Sequence, residues 1–252
     1  MSLELIEFST ELHQVLHQGL AMQMANINFW RIKNSCKIWT GTMNQEKSSN
    51  AKGKIGVLIE DHFDDIEFRR FNKFFPVKRY EVEYISHLWN QDQLTFNGNE
   101  FTEEVTVTVE VNDVKPTDYD GIILIGAYAM DRLRYEPNSQ EGQPNQAPAV
   151  RFLRKAVRDM DANRLKIGTI CHSLWLFCAA PELIKNRKVT CAHNLISDVQ
   201  NAGGIVMFDG DQTKTLQVDG NLVTGKHPDT VNEFMYKFLE EMNEHKLEAL
   251  TK

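Results

Sequence analysis

One stretch, residues 165–180, most constrains how this chain can fold. It reads LKIGTICHSLWLFCAA. Its first part, Leu165–Ile170, is a short apolar run with β-branched residues, which predicts a buried strand. Its second part, His172–Ala180, is apolar and free of Gly and Pro, which predicts a buried helix. Cys171 stands at the joint, the position of a nucleophile elbow, where a sharp strand-to-helix turn lifts a reactive side chain above the sheet.

Cys171 has two interpretations. As a nucleophile, it faces the unpaired N–H groups and the partial positive charge of the first helical turn, which favour the attacking thiolate and so predict a lowered pKa. As a structural residue, it is one more buried cysteine of the core, as most free cysteines are. The polar pair His172 and Ser173 directly follows it, where a core would place apolar side chains, and this favours the nucleophile.

Composition and charge argue against several classes of protein. The 252 residues carry a net charge of −7, which argues against a nucleic-acid or anionic-membrane partner. No apolar run approaches the roughly 18 residues that a membrane helix needs. The first residues are acidic, unlike a secretory signal, so we expect a cytoplasmic protein. The four cysteines have no C-x-x-C spacing, which favours reduced thiols over disulfides or a zinc site; they are Cys36, Cys171, Cys178 and Cys191.

The chain divides into two parts. Residues 1–53 predict a partly helical extension that ends in a polar linker, whereas residues 54–252 alternate strands and helices and predict one α/β domain. Such alternation indicates a mostly parallel sheet covered by helices on both faces. The expected strands are Ile55–Ile59, Glu81–Ser86, Gly121–Ile125, Leu165–Ile170 and Lys188–Ala192, with hairpins at residues 94–111 and 216–224. The expected helices are Asp64–Phe75, one from Pro148, His172–Ala180, Ser197–Ala202 and one from Thr230 to Glu244.

In open α/β sheets the chemistry gathers at the carboxyl ends of the strands. Four such ends carry polar residues, and a doubly wound topology brings them together. They are Asp64–Glu67, Gly126–Asp131, Cys171–Ser173 and His227–Asp229.

Six features follow one another between residues 54 and 242. They are FDDIE (63–67), GAYAMDRLR (126–134), ICH (170–172), NAGG (201–204), VDGNLVTGKHP (218–228) and the final amphipathic helix. In this order they resemble the ThiJ/PfpI superfamily, and within it the PfpI-like intracellular protease/amidase branch. The resemblance implies a flavodoxin-like three-layer sandwich of the class I glutamine amidotransferase type. It also implies a homo-oligomer, a dimer or larger ring, with the site near a subunit interface and with no cofactor or metal.

The resemblance also implies roles for four residues. Cys171 matches the nucleophile and His172 the adjacent histidine, which takes the thiol proton. Glu67 matches a buried glutamate whose protonated carboxyl hydrogen-bonds the sulfur, its pKa raised by burial; the alternative is an exposed helix acid. Asp131 falls where the branch has a carboxylate that reaches the histidine across a subunit interface and orients it. The alternative for Asp131 is an ion pair with Arg134.

An oxyanion hole is expected from the backbone N–H groups of His172 and Ala127. The family usually has two consecutive glycines where this chain has Gly126 and Ala127, and an alanine keeps the N–H but disfavours positive φ. Ser173, where many relatives carry glycine, either contacts substrate or caps the helix, and capping is favoured.

His193 and His227 lie at strand or loop ends, and each either borders the pocket or is a surface residue. The sequence His227-Pro228-Asp229 is similar to the His-x-Glu that completes the triad of true glutamine amidotransferases. PfpI-like relatives carry the same His-Pro without that role.

These residues predict a cysteine-dependent enzyme whose thiolate adds to a carbonyl of a small molecule or a peptide. Two reactions fit: peptide or amide hydrolysis, and glutathione-independent glyoxalase III-like or deglycase chemistry on small dicarbonyls. The alternative is a non-catalytic redox-sensing stress protein in which Cys171 oxidises and Glu67 hydrogen-bonds the product. A base such as His172 favours the enzyme, because a sensor does not need one. A third hypothesis is a scaffold that acts through the N-terminal extension.

Overall fold

The computed structural model describes residues 51–138 and 140–250. The expected extension, residues 1–53, therefore lies almost wholly outside the described residues, and the division of the chain at residue 53 stays a prediction. No helix within the described ranges combines the length and apolar character needed to cross a membrane.

The described residues contain strands and helices in the alternating order that the sequence predicts. The strands are β1 Gly53–Leu58, β2 Tyr80–Ser86, β3 Leu94–Asn97, β4 Glu104–Val107, β5 Val109–Glu110, β6 Gly121–Leu124, β7 Lys166–Ile170, β8 Lys188–Val189, β9 Ile205–Val206, β10 Phe208–Asp209, β11 Gln212–Thr213, β12 Leu216–Asp219 and β13 Leu222–Gly225. The helices are α1 Asp65–Val77, α2 Ala129–Leu133, α3 Pro148–Asp161, α4 Trp175–Cys178, α5 Ile196–Asn201 and α6 Val231–Leu250.

Seven strands form the central sheet in the order β12-β13-β7-β6-β1-β2-β5. All neighbours pair in parallel except β12 and β13 at one edge, which form an antiparallel hairpin. The hairpin turns at Gly220, whose positive φ of 61° suits a tight two-residue turn. Strands β6, β7 and β13 are buried along their whole length, as expected of parallel strands covered on both faces. The predicted flavodoxin-like α/β fold is confirmed.

Helix α1 begins where the sequence predicts, because the Asp64 side chain accepts hydrogen bonds from the N–H groups of Ile66 and Glu67 at 3.0 and 2.9 Å. Helices α3 and α6 each bury one apolar stripe against the sheet. The buried stripe of α3 consists of Ala149, Val150, Phe152, Leu153, Ala156, Val157 and Met160.

Two predictions of elements are wrong. The helix expected over His172–Ala180 is limited to the four residues of α4, because residues 171–174 form a turn. In that turn the Ser173 hydroxyl accepts the N–H of Ile170 at 2.8 Å. The strand expected over Lys188–Ala192 ends at Val189 and pairs with β9 outside the central sheet.

Candidate active site

Cys171 lies directly after β7, at the carboxyl edge of the central sheet. Its N–H donates to the carbonyl of Gly225 at 3.0 Å, and its own carbonyl accepts from the N–H of Ala192 at 3.3 Å. Its φ is 59°, a left-handed conformation that is unfavourable for a residue with a Cβ. The flanking hydrogen bonds hold this strained conformation, as is common at functional sites. The chain therefore bends sharply at the cysteine, and the side chain is 5% exposed.

Glu67, on α1, is fully buried beside the cysteine. Its Oε2 accepts the N–H of Gly126 at 2.7 Å, and its Oε1 has no hydrogen-bond partner in the described part of the chain. Burial raises the pKa of Glu67 well above its ordinary value, and the negative charge of Asp64 raises it further. Because Oε2 accepts a hydrogen bond, the proton that this raised pKa favours belongs on Oε1.

Gly126 allows the carboxyl group and the cysteine to come together. A Cβ on this glycine would lie 2.6 Å from Oε1 of Glu67 and 2.8 Å from Cβ of Cys171. Both distances are shorter than real Cβ contacts. The space that the glycine leaves is therefore what permits Glu67 and Cys171 to occupy one pocket.

The thiol of Cys171 is held in its protonated form. Burial raises the pKa of Cys171, and any negative charge on Glu67 raises it further, whereas the N–H groups of Ala127 and His172 lower it in part. The sequence analysis expected a lowered pKa from the first turn of a long helix. That helix is short and the sulfur is buried, so burial outweighs the backbone N–H groups.

Ala127 has a left-handed backbone conformation, which is unfavourable for an alanine. Its φ is 56° and its side chain is buried. Even so, its N–H, together with that of His172, stabilises negative charge on the sulfur. These are the two N–H groups that the sequence analysis assigned to an oxyanion hole. They converge on the sulfur of Cys171 despite the strain, and their role as an oxyanion hole stays a prediction.

His172 lies on the outer side of the cysteine. Its Nδ1 is 3.5 Å from Sγ of Cys171, and its Nε2 is 2.8 Å from Oδ1 of Asn194. An amide oxygen only accepts, so Nε2 carries the hydrogen and the lone pair of Nδ1 faces the thiol. Burial lowers the pKa of His172, which favours the neutral ring. The histidine is thus in the tautomer that can take a proton from the sulfur.

Two aromatic rings fix the plane of the His172 imidazole. The ring of Trp175 stacks on it with centroids 4.9 Å apart and planes at 10°, and the ring of Tyr128 stacks at 5.9 Å and 22°. Trp175 is itself held by a hydrogen bond from its Nε1 to Asp198 at 3.0 Å and by the guanidinium of Arg134, 5.3 Å from the ring centroid. The imidazole is therefore positioned by packing as well as by Asn194.

Asp131 and Ser173 are placed differently from the sequence prediction. Within this chain Asp131 accepts a hydrogen bond from Arg134 at 2.7 Å, which is the alternative that the sequence also predicts. Asn194, and not Asp131, contacts Nε2 of His172. A role for Asp131 across a subunit interface stays a prediction. Ser173 is fully buried, and its hydroxyl accepts the N–H of Ile170, so it shapes the turn at Cys171; a contact with substrate stays a prediction.

His193 and His227 are both exposed and lie near the base. A charge on either one lowers the pKa of His172. His227 accepts the N–H of Asp229 at 3.3 Å through Nδ1, and it attracts Asp64 at the start of α1. Both histidines thus lie within electrostatic range of His172, and a contact of either with substrate stays a prediction. Within residues 51–138 and 140–250, no group of three or more His, Cys, Asp or Glu side chains is arranged to hold a metal ion.

The family model of the DJ-1/PfpI family matches residues 53–241. An uncharacterized protein of Staphylococcus epidermidis is 27% identical over 181 residues, which cover 72% of this chain and 92% of that protein. A ThiJ/PfpI domain protein from Brachyspira murdochii superposes with a TM-score of 0.61 at 17% identity, over 76% of this chain and 96% of the other.

A two-domain protein from Anabaena variabilis, with a DJ-1/ThiJ/PfpI-like and a ferritin-like domain, superposes with a TM-score of 0.63 at 21% identity. The match covers 76% of this chain but 48% of that protein, so it spans about half of its length. At these identities the solved structures establish the fold alone.

Proposed function

The chain belongs to the DJ-1/PfpI family, and on this premise we propose that it is an enzyme in which Cys171 adds to a carbonyl carbon of its substrate. One observation carries the proposal. The thiol faces the unprotonated Nδ1 of His172 at 3.5 Å, while Asn194 holds the opposite nitrogen of the same ring at 2.8 Å. A nucleophile, an adjacent base and a group that orients the base form one of the common arrangements for covalent catalysis.

The reaction begins from a neutral pair. As the sulfur of Cys171 bonds to the carbonyl carbon, its proton moves to Nδ1 of His172 and the carbonyl π electrons move to oxygen. The N–H groups of Ala127 and His172 donate to the resulting oxyanion. Asn194 keeps the imidazolium in position by accepting its Nε2–H. Charge is therefore created only when the substrate reacts.

Two substrate classes follow from the same first step. With a peptide or amide, the proton on His172 passes to the leaving nitrogen, the C–N bond breaks, and water hydrolyses the acyl-enzyme. With a small dicarbonyl such as methylglyoxal, the proton passes to the oxyanion and gives a hemithioacetal. In this proposal the protonated carboxyl of Glu67, whose Oε1 has no partner among the described residues before reaction, donates a hydrogen bond to the sulfur once either adduct has formed.

The direct test is turnover of both substrate classes by wild-type protein and by Cys171→Ala. We measure lactate formed from methylglyoxal and arylamine released from peptide anilides. We expect wild-type turnover of one class, and in Cys171→Ala a fall of at least about 10²-fold, since the nucleophile is lost. Cys178→Ala, which removes a half-buried thiol elsewhere, is the matched control and keeps wild-type turnover. Equal turnover by Cys171→Ala contradicts the proposal.

A redox sensor is the second candidate, favoured by the unpartnered Oε1 of Glu67. Oxidation of Cys171 by two equivalents of hydrogen peroxide to the sulfinic acid adds two oxygen atoms. One of these oxygens can accept a hydrogen bond from the protonated carboxyl of Glu67. Mass spectrometry of peroxide-treated wild type and Glu67→Gln tests this candidate. Site-selective oxidation of Cys171 without turnover of either substrate favours the sensor, and turnover that depends on Cys171 favours the enzyme.

A further inference from the structure

Helix α3 carries a strongly basic outer face that shares no residue with the candidate active site. Four cations recur at positions i, i+3, i+4 and i+7, the spacing that puts side chains on one side of a helix. We call them the basic face: Arg151, Arg154, Lys155 and Arg158. The apolar stripe of the same helix is buried against the sheet, so the basic face is the side that remains outward.

Two grooves flank the basic face, and Lys155 and Arg158 line both. The smaller groove has a volume of about 440 Å³, and its other lining residues are Lys115, Pro116, Thr117, Asp159 and Arg164. The larger groove has a volume of about 760 Å³, and its other lining residues are Pro144, Gln146, Arg151, Arg154, Glu182 and Leu183. Prolines and a leucine thus lie among the cations.

Positive charge is in excess in these grooves. Their two carboxylates are already paired, Asp159 with Arg164 and Glu182 with Arg154. Lys155 and Arg158 are exposed, and among the described residues neither side chain has an ion pair or hydrogen bond. The chain as a whole has a net charge of −7, so this concentration of cations runs against its composition. Such a local reversal of charge attracts an acidic partner.

Arg154 provides an independent observation. Its Nε donates to Glu182 at 2.7 Å and its Nη1 donates to the carbonyl of Asn145 at 2.5 Å. Its Nη2 is buried and has no acceptor among the described residues. A buried donor without a partner is unfavourable, so the Arg154 guanidinium, which lines the larger groove, favours one more acceptor such as a carboxylate.

We propose that the basic face of α3 binds an acidic segment of another protein in which carboxylates flank an apolar side chain. The carboxylates pair with Lys155 and Arg158, and the apolar side chain packs on Pro144 and Leu183. The apolar lining distinguishes this partner from a nucleic acid, whose phosphates would repel the acidic remainder of the chain. Binding there is independent of the chemistry at Cys171.

The test is fluorescence anisotropy of the full chain with labelled synthetic peptides. The probes are alternating Glu-Leu, Gln-Leu and Lys-Leu peptides and a single-stranded oligonucleotide. We expect the Glu-Leu peptide to bind, and to bind roughly tenfold more weakly when salt rises from about 50 to 200 mM, because salt screens exposed charges. The Gln-Leu and Lys-Leu peptides bind at least about tenfold more weakly than the Glu-Leu peptide.

Matched charge reversals locate the binding surface. Lys155→Glu with Arg158→Glu weakens binding of the Glu-Leu peptide at least about tenfold. Arg70→Glu with Lys73→Glu makes the same change in net charge at two exposed positions of α1 with the same spacing and leaves affinity unchanged. Any of four results would overturn the proposal. The two double variants could lose affinity equally, or wild type could bind the Gln-Leu peptide as tightly as the Glu-Leu peptide. Wild type could also bind the oligonucleotide more tightly than the Glu-Leu peptide, or not bind the Glu-Leu peptide at all. Circular dichroism verifies that both variants are folded.

Discussion

The two sides of Cys171 differ in their exposure to solvent. The inner side consists of Glu67 and Gly126. Glu67 is fully buried, and its Oε2 accepts the N–H of Gly126 at 2.7 Å. The outer side consists of His172 and Asn194, which are reached from the surface and stand beside stacked aromatic rings. The inner side favours the protonated thiol, and in the proposed reaction the outer side supplies the group that removes its proton.

Burial acts on both sides but in opposite directions. It raises the pKa of Glu67 and of Cys171, because it disfavours their anions, and it lowers the pKa of His172, because it disfavours the cation. All three groups are therefore driven toward neutrality. The comparison teaches that the free site stores no ion pair, so the proposed reaction separates charge only when the substrate reacts. Changes on the outer side should alter turnover, and changes on the inner side should alter titration and stability.

The largest expected effect comes from removing the base. His172→Ala leaves the thiol without a proton acceptor, so turnover falls at least about 10²-fold, or about 3 kcal/mol of transition-state stabilisation. Steady-state kinetics with the substrate identified for wild type measures the loss. His87→Ala removes a histidine that pairs with Glu110 beside the β2/β5 edge of the sheet and is the matched control, expected to retain most activity. A fully active His172→Ala variant contradicts the role assigned to the outer side.

The next largest effect is expected from changing the partner of the base. Asn194→Asp puts a carboxylate on Nε2 of His172 and raises the pKa of the imidazole by about one unit or more. In wild type the pKa of His172 is below its ordinary value of 6.5, so activity persists below that pH. In the variant the acid limb of the pH–rate profile moves to higher pH, because the base is protonated sooner. Asn194→Ala lowers turnover without that upward movement. Superimposable profiles for wild type and Asn194→Asp refute the contact.

On the inner side, Glu67→Gln replaces the acid with a neutral side chain of the same shape. In wild type the pKa of Glu67 is raised above its unfolded value near 4.5. The unfolded chain therefore releases this proton first, and wild type loses stability as pH rises from the unfolded pKa to the folded one. The Gln variant lacks this loss. We expect its stability relative to wild type to increase with pH above about 4.5.

Denaturant unfolding at a series of pH values measures this difference. Glu103→Gln, at a half-buried glutamate paired with Arg69, is a control for loss of a carboxylate. If the difference in the free energy of unfolding between Glu67→Gln and wild type stays constant with pH, then Glu67 is ionised in the folded protein. In that case the inner side is charged.

Most of the fold could be predicted because local patterns determine it. The apolar runs of β6 and β7, the stripe of α3 and the cap at Asp64 are each contained within a few consecutive residues. The helix expected after Cys171 was wrong for the same reason, since a buried turn and a buried helix have the same apolar composition. A positive φ at a residue other than glycine leaves no mark in the sequence.

The site could be predicted only in part. The strand-to-helix joint identified Cys171 and His172, and the resemblance of the FDDIE run identified Glu67. Asn194 was missed because its contact joins residues 22 positions apart and depends on how two loops pack. The direction of the pKa shift of Cys171 was missed because the depth of burial outweighs the N–H groups that the motif implies.

The smallest expected effect concerns Ala127, which connects the two sides through its backbone N–H. Its φ of 56° costs about 1–2 kcal/mol for a residue with a Cβ, whereas glycine adopts this conformation freely. Glycine loses about 0.5–1 kcal/mol more in entropy on folding, so Ala127→Gly should raise the free energy of unfolding by up to about 1 kcal/mol.

Ala129→Gly, a buried alanine two residues along in α2, is the matched control. Glycine is unfavourable in a helix by about 1 kcal/mol, so this variant should lose stability. Denaturant unfolding of the two variants gives the comparison. If Ala127→Gly gains stability and Ala129→Gly loses it, the backbone at Ala127 is strained and the rest of the fold holds that strain. This conformation directs the N–H of Ala127 at the sulfur. If both variants lose stability equally, Ala127 is unstrained, and the oxyanion donor on this side has another geometry.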